Sequence, residues 1–229
     1  MAFDPGNRLI AALDAPARAE ADDFMTRLDG VPGWYKIGLE LFCAEGPAIV
    51  QDQVARGRRV MLDLKLHDIP ETVARATARV AGIGAELMTV HAGGGRAMLE
   101  AAVRHAGATR VLAVTVLTSL DDADLVQIGA QGPVSELVVK RARLAIDAGC
   151  AGVVASPHEI AAVRAIAPAG FLIVTPGVRP ADGERGDQKR VMTAREARAA
   201  GADLVVVGRP LRNANDPARA ARALVAELS

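Results

Sequence analysis

One short segment of the chain combines charged side chains with a strongly apolar background. The segment Val60–Pro70 has the sequence VMLDLKLHDIP, and its aliphatic residues predict a β-strand. Side chains of a strand alternate between two faces, so Asp63, Lys65 and His67 share one face and the leucines share the other. Asp68 follows where the strand ends. An acid and an amine on one face predict either a structural Asp–Lys–Asp network or a site for chemistry.

Lysine is rare in this chain, which makes the lysine of that strand informative. Of the 27 basic residues, only Lys36, Lys65, Lys140 and Lys189 are lysines, and arginine supplies all the others. Arginine is effectively always charged, whereas lysine has a pKa that its surroundings can tune. A lysine in an apolar strand therefore favours a chemical role.

The bulk composition is typical of a globular protein and excludes several classes of partner. The 229 residues are 51% hydrophobic and 24% charged, with a formal net charge of zero and no block of like charges. A nucleic-acid or membrane surface is therefore not expected. Cys43 and Cys150 lack metal or redox spacing. With no signal-peptide pattern and no apolar run that could span a bilayer, we expect a cytoplasmic protein.

Strand-like and helix-like segments alternate along the whole chain. Near-continuous aliphatic runs are typical of parallel strands that are buried on both faces. Eight such β–α units predict a (β/α)₈ TIM barrel, a parallel eight-stranded barrel with outer helices, in a single domain over residues 1–229. An open doubly wound sheet is the rival, but no G-x-G-x-x-G follows the first strand. The predicted strands are Arg8–Asp14, Trp34–Leu41, Val60–His67, Leu87–Ala92, Val111–Thr118, Gly152–Ser156, Leu172–Pro176 and Leu204–Gly208.

Polar residues occur at most of the carboxyl ends of these strands, where a barrel builds its active site. Arg179 follows the seventh strand, and Gly208 and Arg209 follow the eighth, which predicts a phosphate site because loops at these positions often bind phosphate. The polar stretch Arg179–Arg190 is long enough to close over a ligand. Gln188 lies in it and is either a ligand contact or a solvated loop residue.

Three further rim residues allow two interpretations each. Asp14 and Lys36 can bind sugar hydroxyls, or they can form an ion pair that closes the rim. Thr118 can offer a hydroxyl and an amide to a planar base, or it can cap a helix ahead of Asp121.

The glycine-rich run after the fourth strand does not predict a phosphate loop. HAGGG lacks the Gly-Lys-Ser/Thr of that motif, so we expect a tight turn with His91 hydrogen-bonded within the barrel. No metal site is expected, because Lys65 would repel a cation between Asp63 and Asp68, and the histidines lack metal spacing.

Together these motifs resemble the orotidine 5′-monophosphate decarboxylase family, whose signature is Asp-x-Lys-x-x-Asp-Ile. Asp63–Ile69 matches that signature. The resemblance extends over the chain through LDA at Leu13–Ala15, YKIG at Tyr35–Gly38, HAGGG at His91–Gly95, LTS at Leu117–Ser119, TPGVRP at Thr175–Pro180, GDQKR at Gly186–Arg190 and VVGRP at Val206–Pro210. It implies a cofactor-free decarboxylase that converts orotidine 5′-monophosphate to UMP and CO₂.

The resemblance also implies a role for each matching residue. Lys65 would protonate C6 of the pyrimidine, and Asp63 would lie against the departing carboxylate. Asp68 and Thr72 would reach across the interface of a homodimer into the partner's site.

The remaining roles concern substrate binding. Asp14 and Lys36 would bind ribose, with Lys36 also part of the charged network, and Thr118 would contact the uracil edge. The phosphate end would be held by Arg179, Gln188, Gly208 and Arg209.

Two alternative functions stay open at this point. Sugar-phosphate decarboxylases or epimerases on a similar barrel share the Asp-x-Lys-x-x-Asp strand, but they carry a carboxylate for Mg²⁺ where this chain has Lys36. A non-catalytic UMP-binding dimer would have kept the rim and lost the activity.

Overall fold

The computed structural model describes residues 8–178 and 192–229, and in this part of the chain eight parallel strands close into a barrel. The strands are β1 Leu9–Ala12, β2 Trp34–Gly38, β3 Val60–Leu66, β4 Leu87–His91, β5 Arg110–Val114, β6 Gly152–Val154, β7 Leu172–Pro176 and β8 Leu204–Val207. Each strand pairs with its neighbours in chain order, and β8 pairs with β1. The predicted eight-stranded barrel is thus confirmed, and all carboxyl ends of the strands lie at one rim.

Helices follow the strands and surround the barrel. They are α1 Arg18–Arg27, α2 Leu39–Glu45, α3 Pro47–Ala55, α4 Pro70–Gly82, α5 Gly95–His105, α6 Asp122–Gln127, α7 Val134–Asp147, α8 Ile160–Arg164, α9 Ala194–Ala200, α10 Arg209–Arg212 and α11 Pro217–Glu227. Pro70 and Pro217 open their helices at a position where the missing N–H costs no hydrogen bond. Among the described residues, no helix combines the length and hydropathy needed to cross a membrane.

The barrel packs two hydrophobic cores, one on each face of its sheet. The inner core is built from strand side chains that include Ile10, Trp34, Met61 and Leu87. The outer core joins the opposite faces of the strands, including that of Leu62, to the helices. Because most strands contribute to both cores, they must be apolar on both faces, which explains their near-continuous aliphatic sequences.

Two predicted strands extend well beyond the observed ones. The predicted strand Trp34–Leu41 ends at Gly38, because Leu39 begins α2 and the aliphatic residues there pack as a helix. The predicted strand Val111–Thr118 ends at Val114, so Thr118 belongs to the loop that leads to α6. In both cases the run of hydrophobic residues continues beyond the last residue of the strand, so the length of the run does not predict the end of the strand.

β3 bulges opposite β4 at the position of its charged residues. Between the paired residues Leu62 and Leu66, β3 has three residues, whereas β4 has only Thr89 in the matching interval. Lys65, inside this bulge, has a φ of 50°, which is uncommon for a residue with a side chain. A bulge of this kind redirects a side chain at a barrel rim.

The close approach of β6 to β7 generates a stability prediction. A Cβ added at Gly152 would lie 2.3 Å from the carbonyl oxygen of Leu172, which is backbone and cannot move aside. Gly152→Ala should therefore lower the free energy of unfolding by about 1–3 kcal/mol, measured by urea denaturation. Gly82→Ala, where a Cβ would meet nothing within 4 Å, is the control and should not destabilise the fold. A Gly152→Ala variant as stable as wild type would contradict this packing.

Candidate active site

The centre of the candidate site is one carboxylate shared by two ammonium groups. Nζ of Lys65 donates to Oδ2 of Asp63 at 2.8 Å, and Nζ of Lys36 lies 3.7 Å from the same oxygen. The barrel brings these residues together because β2 and β3 pair in parallel and place Gly38 beside Asp63. The side chains of Lys36 and Asp63 are only 11% and 12% exposed, so water screens their charges weakly.

The electrostatics of the cluster favour an ionised Asp63. Burial acts to raise the pKa of this carboxyl, but the charges of Lys36 and Lys65 and hydrogen bonds from Lys65 and Thr89 outweigh it. Together they hold the pKa of Asp63 below its usual value. Asp63 therefore shares its single negative charge between the ammonium groups of Lys36 and Lys65.

Thr89 also belongs to this cluster, although it was not among the residues predicted from the sequence. Its hydroxyl accepts a hydrogen bond from the backbone N–H of Lys65 at 2.9 Å and donates one to Oδ1 of Asp63 at 2.9 Å. Threonine is a common strand residue, so its occurrence in β4 carries no signal of its own. The available hint was the alternation in β4, which places Thr89 on the same face as Leu87 of the inner core.

Asp14 and Lys36 form the ion pair that was one of their two predicted interpretations. Nζ of Lys36 donates to Oδ1 of Asp14 at 2.9 Å, at the point where β1 has ended. Arg212 of α10 donates to the backbone carbonyl of Asp14, which ties this loop to the rim. Half of the Asp14 side chain remains exposed, so the ion pair leaves part of this carboxylate accessible.

A cavity of about 210 Å³ opens beside the charged cluster. Lys36, Asp63 and Lys65 form one wall, and the other wall is built from the ends of the later strands and their loops. The apolar lining residues are Met61, Val114, Val116, Leu117, Val154, Ala155, Pro176 and Val206. An apolar wall opposite fixed charges suits a flat, mostly apolar ring that carries a negative group.

Thr118 also lines this cavity, and the alternative that it caps a helix is wrong. The N-cap of α6 is Asp121, whose side chain accepts from the backbone N–H groups of Ala123 and Asp124. Thr118 therefore lies in the loop after β5 and contributes to the cavity wall.

The predicted phosphate residues lie only partly within the described residues. Gly208 caps α10 and Arg209 begins it, directly after β8, as a phosphate site in a barrel requires. A Cβ added at Gly208 would lie 3.3 Å from Oδ2 of Asp14, so this loop passes close to the ribose candidates. Arg179 and Gln188 fall outside the residues that the structure describes.

Asp68 and Thr72 do not join the cluster within one chain. Asp68 is exposed, and its Oδ1 accepts from the adjacent backbone N–H of Ile69 at 2.6 Å. Thr72 lies in the first turn of α4 and is half-buried. Among the described residues the network is thus Asp14–Lys36–Asp63–Lys65, without the second acid of the sequence signature.

His91 forms a separate polar cluster beside the site. Its Nδ1 accepts the backbone N–H of Gly93 at 3.0 Å, as expected from the sequence, and its ring stacks on that of His67 with 5.1 Å between centroids. His67 therefore pairs with His91 and does not line the cavity with the charged residues. Burial, followed by the nearby charges of Arg141, His67 and Lys65, lowers the pKa of His91 to about 4.

No group of three or more His, Cys, Asp or Glu side chains could hold a metal ion in the described ranges 8–178 and 192–229. The prediction of a metal-free site stays a prediction.

The chain is similar in sequence to a known protein family and to several of its members. A model of the orotidine 5′-phosphate decarboxylase / HUMPS family matches residues 7–224. The orotidine 5′-phosphate decarboxylase of Anaeromyxobacter sp. (strain K) is 57% identical over 98% of this chain and 99% of that protein. The enzyme of that name from Moorella thermoacetica is 48% identical over 97% of this chain and 92% of its own.

A solved structure agrees with these sequence relatives. The crystal structure of orotidine 5′-phosphate decarboxylase from Lactobacillus acidophilus superposes with a TM-score of 0.86 at 33% identity, covering 97% of this chain and 99% of that one.

The low pKa of His91 generates a prediction about stability and pH. Its folded value of about 4 lies below the usual 6.5, so between these values the unfolded chain binds more protons than the folded protein. The contribution of His91 to the free energy of unfolding therefore falls as the pH falls from 6.5 to 4. His91→Asn removes the group, and its stability in urea titrations should fall less over this window than that of wild type.

His158→Asn, which removes an exposed imidazole, is the matched control. Its free energy of unfolding should change with pH as that of wild type does. Equal slopes for His91→Asn and wild type would show that His91 does not resist protonation in the folded state.

Proposed function

The chain belongs to the orotidine 5′-phosphate decarboxylase / HUMPS family, and from this membership we propose that it converts orotidine 5′-monophosphate to UMP and CO₂. It is a decarboxylase of pyrimidine biosynthesis, a carbon–carbon lyase on a TIM barrel. We keep the prediction that residues 1–229 form a single domain that needs no cofactor. A cytoplasmic location is part of the proposal.

The observation that carries this proposal is the Lys36–Asp63–Lys65 cluster beside an apolar cavity. Nζ of Lys65 is fixed by Asp63 at 2.8 Å, and both side chains line the cavity. A cation fixed by such an ion pair is held in advance at a place where negative charge can develop. This arrangement suits a reaction that produces a localised carbanion.

Decarboxylation at C6 of a pyrimidine is such a reaction. Loss of CO₂ leaves an electron pair in the plane of the ring, where the π-system cannot delocalise it. In the proposed mechanism, the Lys65 ammonium stabilises this charge and then delivers a proton to C6, which yields UMP and a neutral amine. Asp63 lies against the departing carboxylate, whose negative charge it disfavours.

The binding residues follow the proposed orientation of the nucleotide. Asp14 accepts from the ribose and Lys36 donates to it, since the Asp14 side chain is half-exposed and the Lys36 ammonium lies between Asp14 and Asp63. Thr118 contacts the uracil edge from the cavity wall. The phosphate end is proposed to contact Gly208, Arg209, Arg179 and Gln188. Binding energy from this remote group can organise the reacting centre.

A homodimer completes the proposal. Asp68 and Thr72 lie outside the cluster of their own subunit, at or near the surface, and Ile69 between them is 66% exposed. An exposed isoleucine beside an acid is a plausible contact for a second copy of the chain. We propose that Asp68 and Thr72 enter the site of the partner subunit there.

The sugar-phosphate alternative is less well supported. Its Mg²⁺ would have to lie beside Asp63, where the ammonium of Lys36 is 3.7 Å from the carboxylate and would repel a cation. Loss of activity on ketose phosphates after addition of a chelator would favour that alternative.

Removal of the proposed acid tests the function. Wild-type protein should consume orotidine 5′-monophosphate with loss of its ultraviolet absorbance, and Lys65→Ala should lower kcat at least about 1,000-fold. Lys140→Ala, which removes an exposed lysine, is the control and should match wild type. Near-normal turnover by Lys65→Ala would exclude Lys65 from the chemistry. Wild-type protein that binds UMP without turnover would instead support the non-catalytic dimer.

The space that Gly38 leaves for the Lys36 ammonium generates a second prediction. Gly38 has extended backbone, so alanine is permitted there, but its Cβ would lie 2.8 Å from Nζ of Lys36 and 3.3 Å from Oδ1 of Asp14. The flexible lysine can move and the fold should persist, whereas kcat/KM should fall about 10- to 100-fold because the ammonium is displaced. Gly82→Ala is the control. Unchanged kcat/KM in Gly38→Ala would contradict the need for this ammonium position.

A further inference from the structure

We propose that Thr89 is a positioning residue for the decarboxylation, an inference that rests on the proposed function. Its single hydroxyl connects the backbone of Lys65 to the carboxylate of Asp63. It thereby fixes both partners of the ion pair that is proposed to face C6.

The hydroxyl of Thr89 acts both as a hydrogen-bond donor and as an acceptor. It has one proton, which it donates to Oδ1 of Asp63, and its lone pair accepts the N–H of Lys65, with both distances at 2.9 Å. Thr89 is fully buried, so water has no access to replace either bond. A buried hydroxyl bonded on both sides has a defined orientation and transmits it to its partners.

The two oxygens of Asp63 have different partners as a result. Oδ1 accepts from Thr89, whereas Oδ2 accepts from Lys65 and faces Lys36. With one oxygen held by β4, the carboxylate plane cannot rotate freely. Oδ2 is thus kept on the side of the two ammonium groups.

The backbone of Lys65 depends on the same hydroxyl. In the bulge of β3, Thr89 is the only β4 residue opposite Asp63, Leu64 and Lys65, and the Thr89 side chain accepts the N–H of Lys65 in place of a backbone carbonyl. Lys65 also has a φ of 50°, a conformation that costs energy and persists only when the surroundings determine it. The bond to Thr89 is a contact that can hold the Lys65 backbone in this state.

A hydroxyl-free isostere separates positioning from packing. Thr89→Val keeps the branched shape but leaves Asp63 and the Lys65 N–H without this partner, and kcat should fall about 10- to 100-fold while the Kd for UMP stays within about twofold. Thr89→Ser restores the hydroxyl and should recover most of the activity. Thr77→Val is the control, because Thr77 is also fully buried and its hydroxyl has no partner.

The pH profile gives a readout that a purely structural role would not change. The charged groups that face Asp63 are Lys36 from β2 and Lys65 from its own strand, with Asp14 behind Lys36, and the variant keeps them all. Loss of the Thr89 donor destabilises the ionised carboxylate, so the acid limb of kcat in Thr89→Val should move to higher pH. Thr89→Ser should keep the wild-type limb.

A measurement on the free protein keeps this inference separate from the proposed function. Hydrogen exchange of the Lys65 amide should be slow in wild type and Thr89→Ser and faster in Thr89→Val. Wild-type protein without turnover would overturn the proposed function. Active wild-type protein together with a Thr89→Val variant of unchanged kcat, acid limb and Lys65 exchange would overturn the positioning role of Thr89.

Discussion

The carboxylate of Asp63 is buried at the barrel mouth and has to compensate two ammonium groups at once. Removal of a carboxylate from water is costly, and the charges of Lys36 and Lys65 outweigh that cost and keep it ionised. Lys65 is in turn held by this carboxylate, and Lys36 lies between it and the carboxylate of Asp14. These charged groups therefore fix one another's positions, and Lys36, Asp63 and Lys65 all line the cavity.

The barrel supplies this cluster with rigid supports. Parallel pairing brings Lys36 of β2 next to the strand that carries Asp63 and Lys65, and Gly38 leaves space for the Lys36 ammonium. The bulge of β3 and the hydroxyl of Thr89 give Lys65 a backbone conformation that a regular strand would not allow. The proposed reaction at C6 needs a charge that is in place before the anion forms, and rigid supports of this kind avoid reorganisation during such a reaction.

The sequence predicted the barrel and the centre of the site because both depend on local patterns. Aliphatic runs identified the strands, and the scarcity of lysine identified Lys65. The predicted carboxyl ends of β2 and β5 were wrong because the apolar residues continue into the segments that follow these strands. The bulge of β3 and the contacts of Thr89 were not predicted. Both depend on the pairing register of β3 with β4, which the sequence of either strand alone does not specify. Asp68 matched the sequence signature, but it lies at the surface, outside the charged network.

The distance between Nζ of Lys65 and C6 of bound UMP tests the central claim most directly. In a crystal structure of the protein with UMP, we expect Nζ on the C6 side of the ring, at a separation of about 3–3.5 Å, still bonded to Oδ2 of Asp63. A structure in which Nζ points toward the outer helices, or lies several ångströms farther from C6 than this, would contradict a lysine that stabilises and protonates the ring anion.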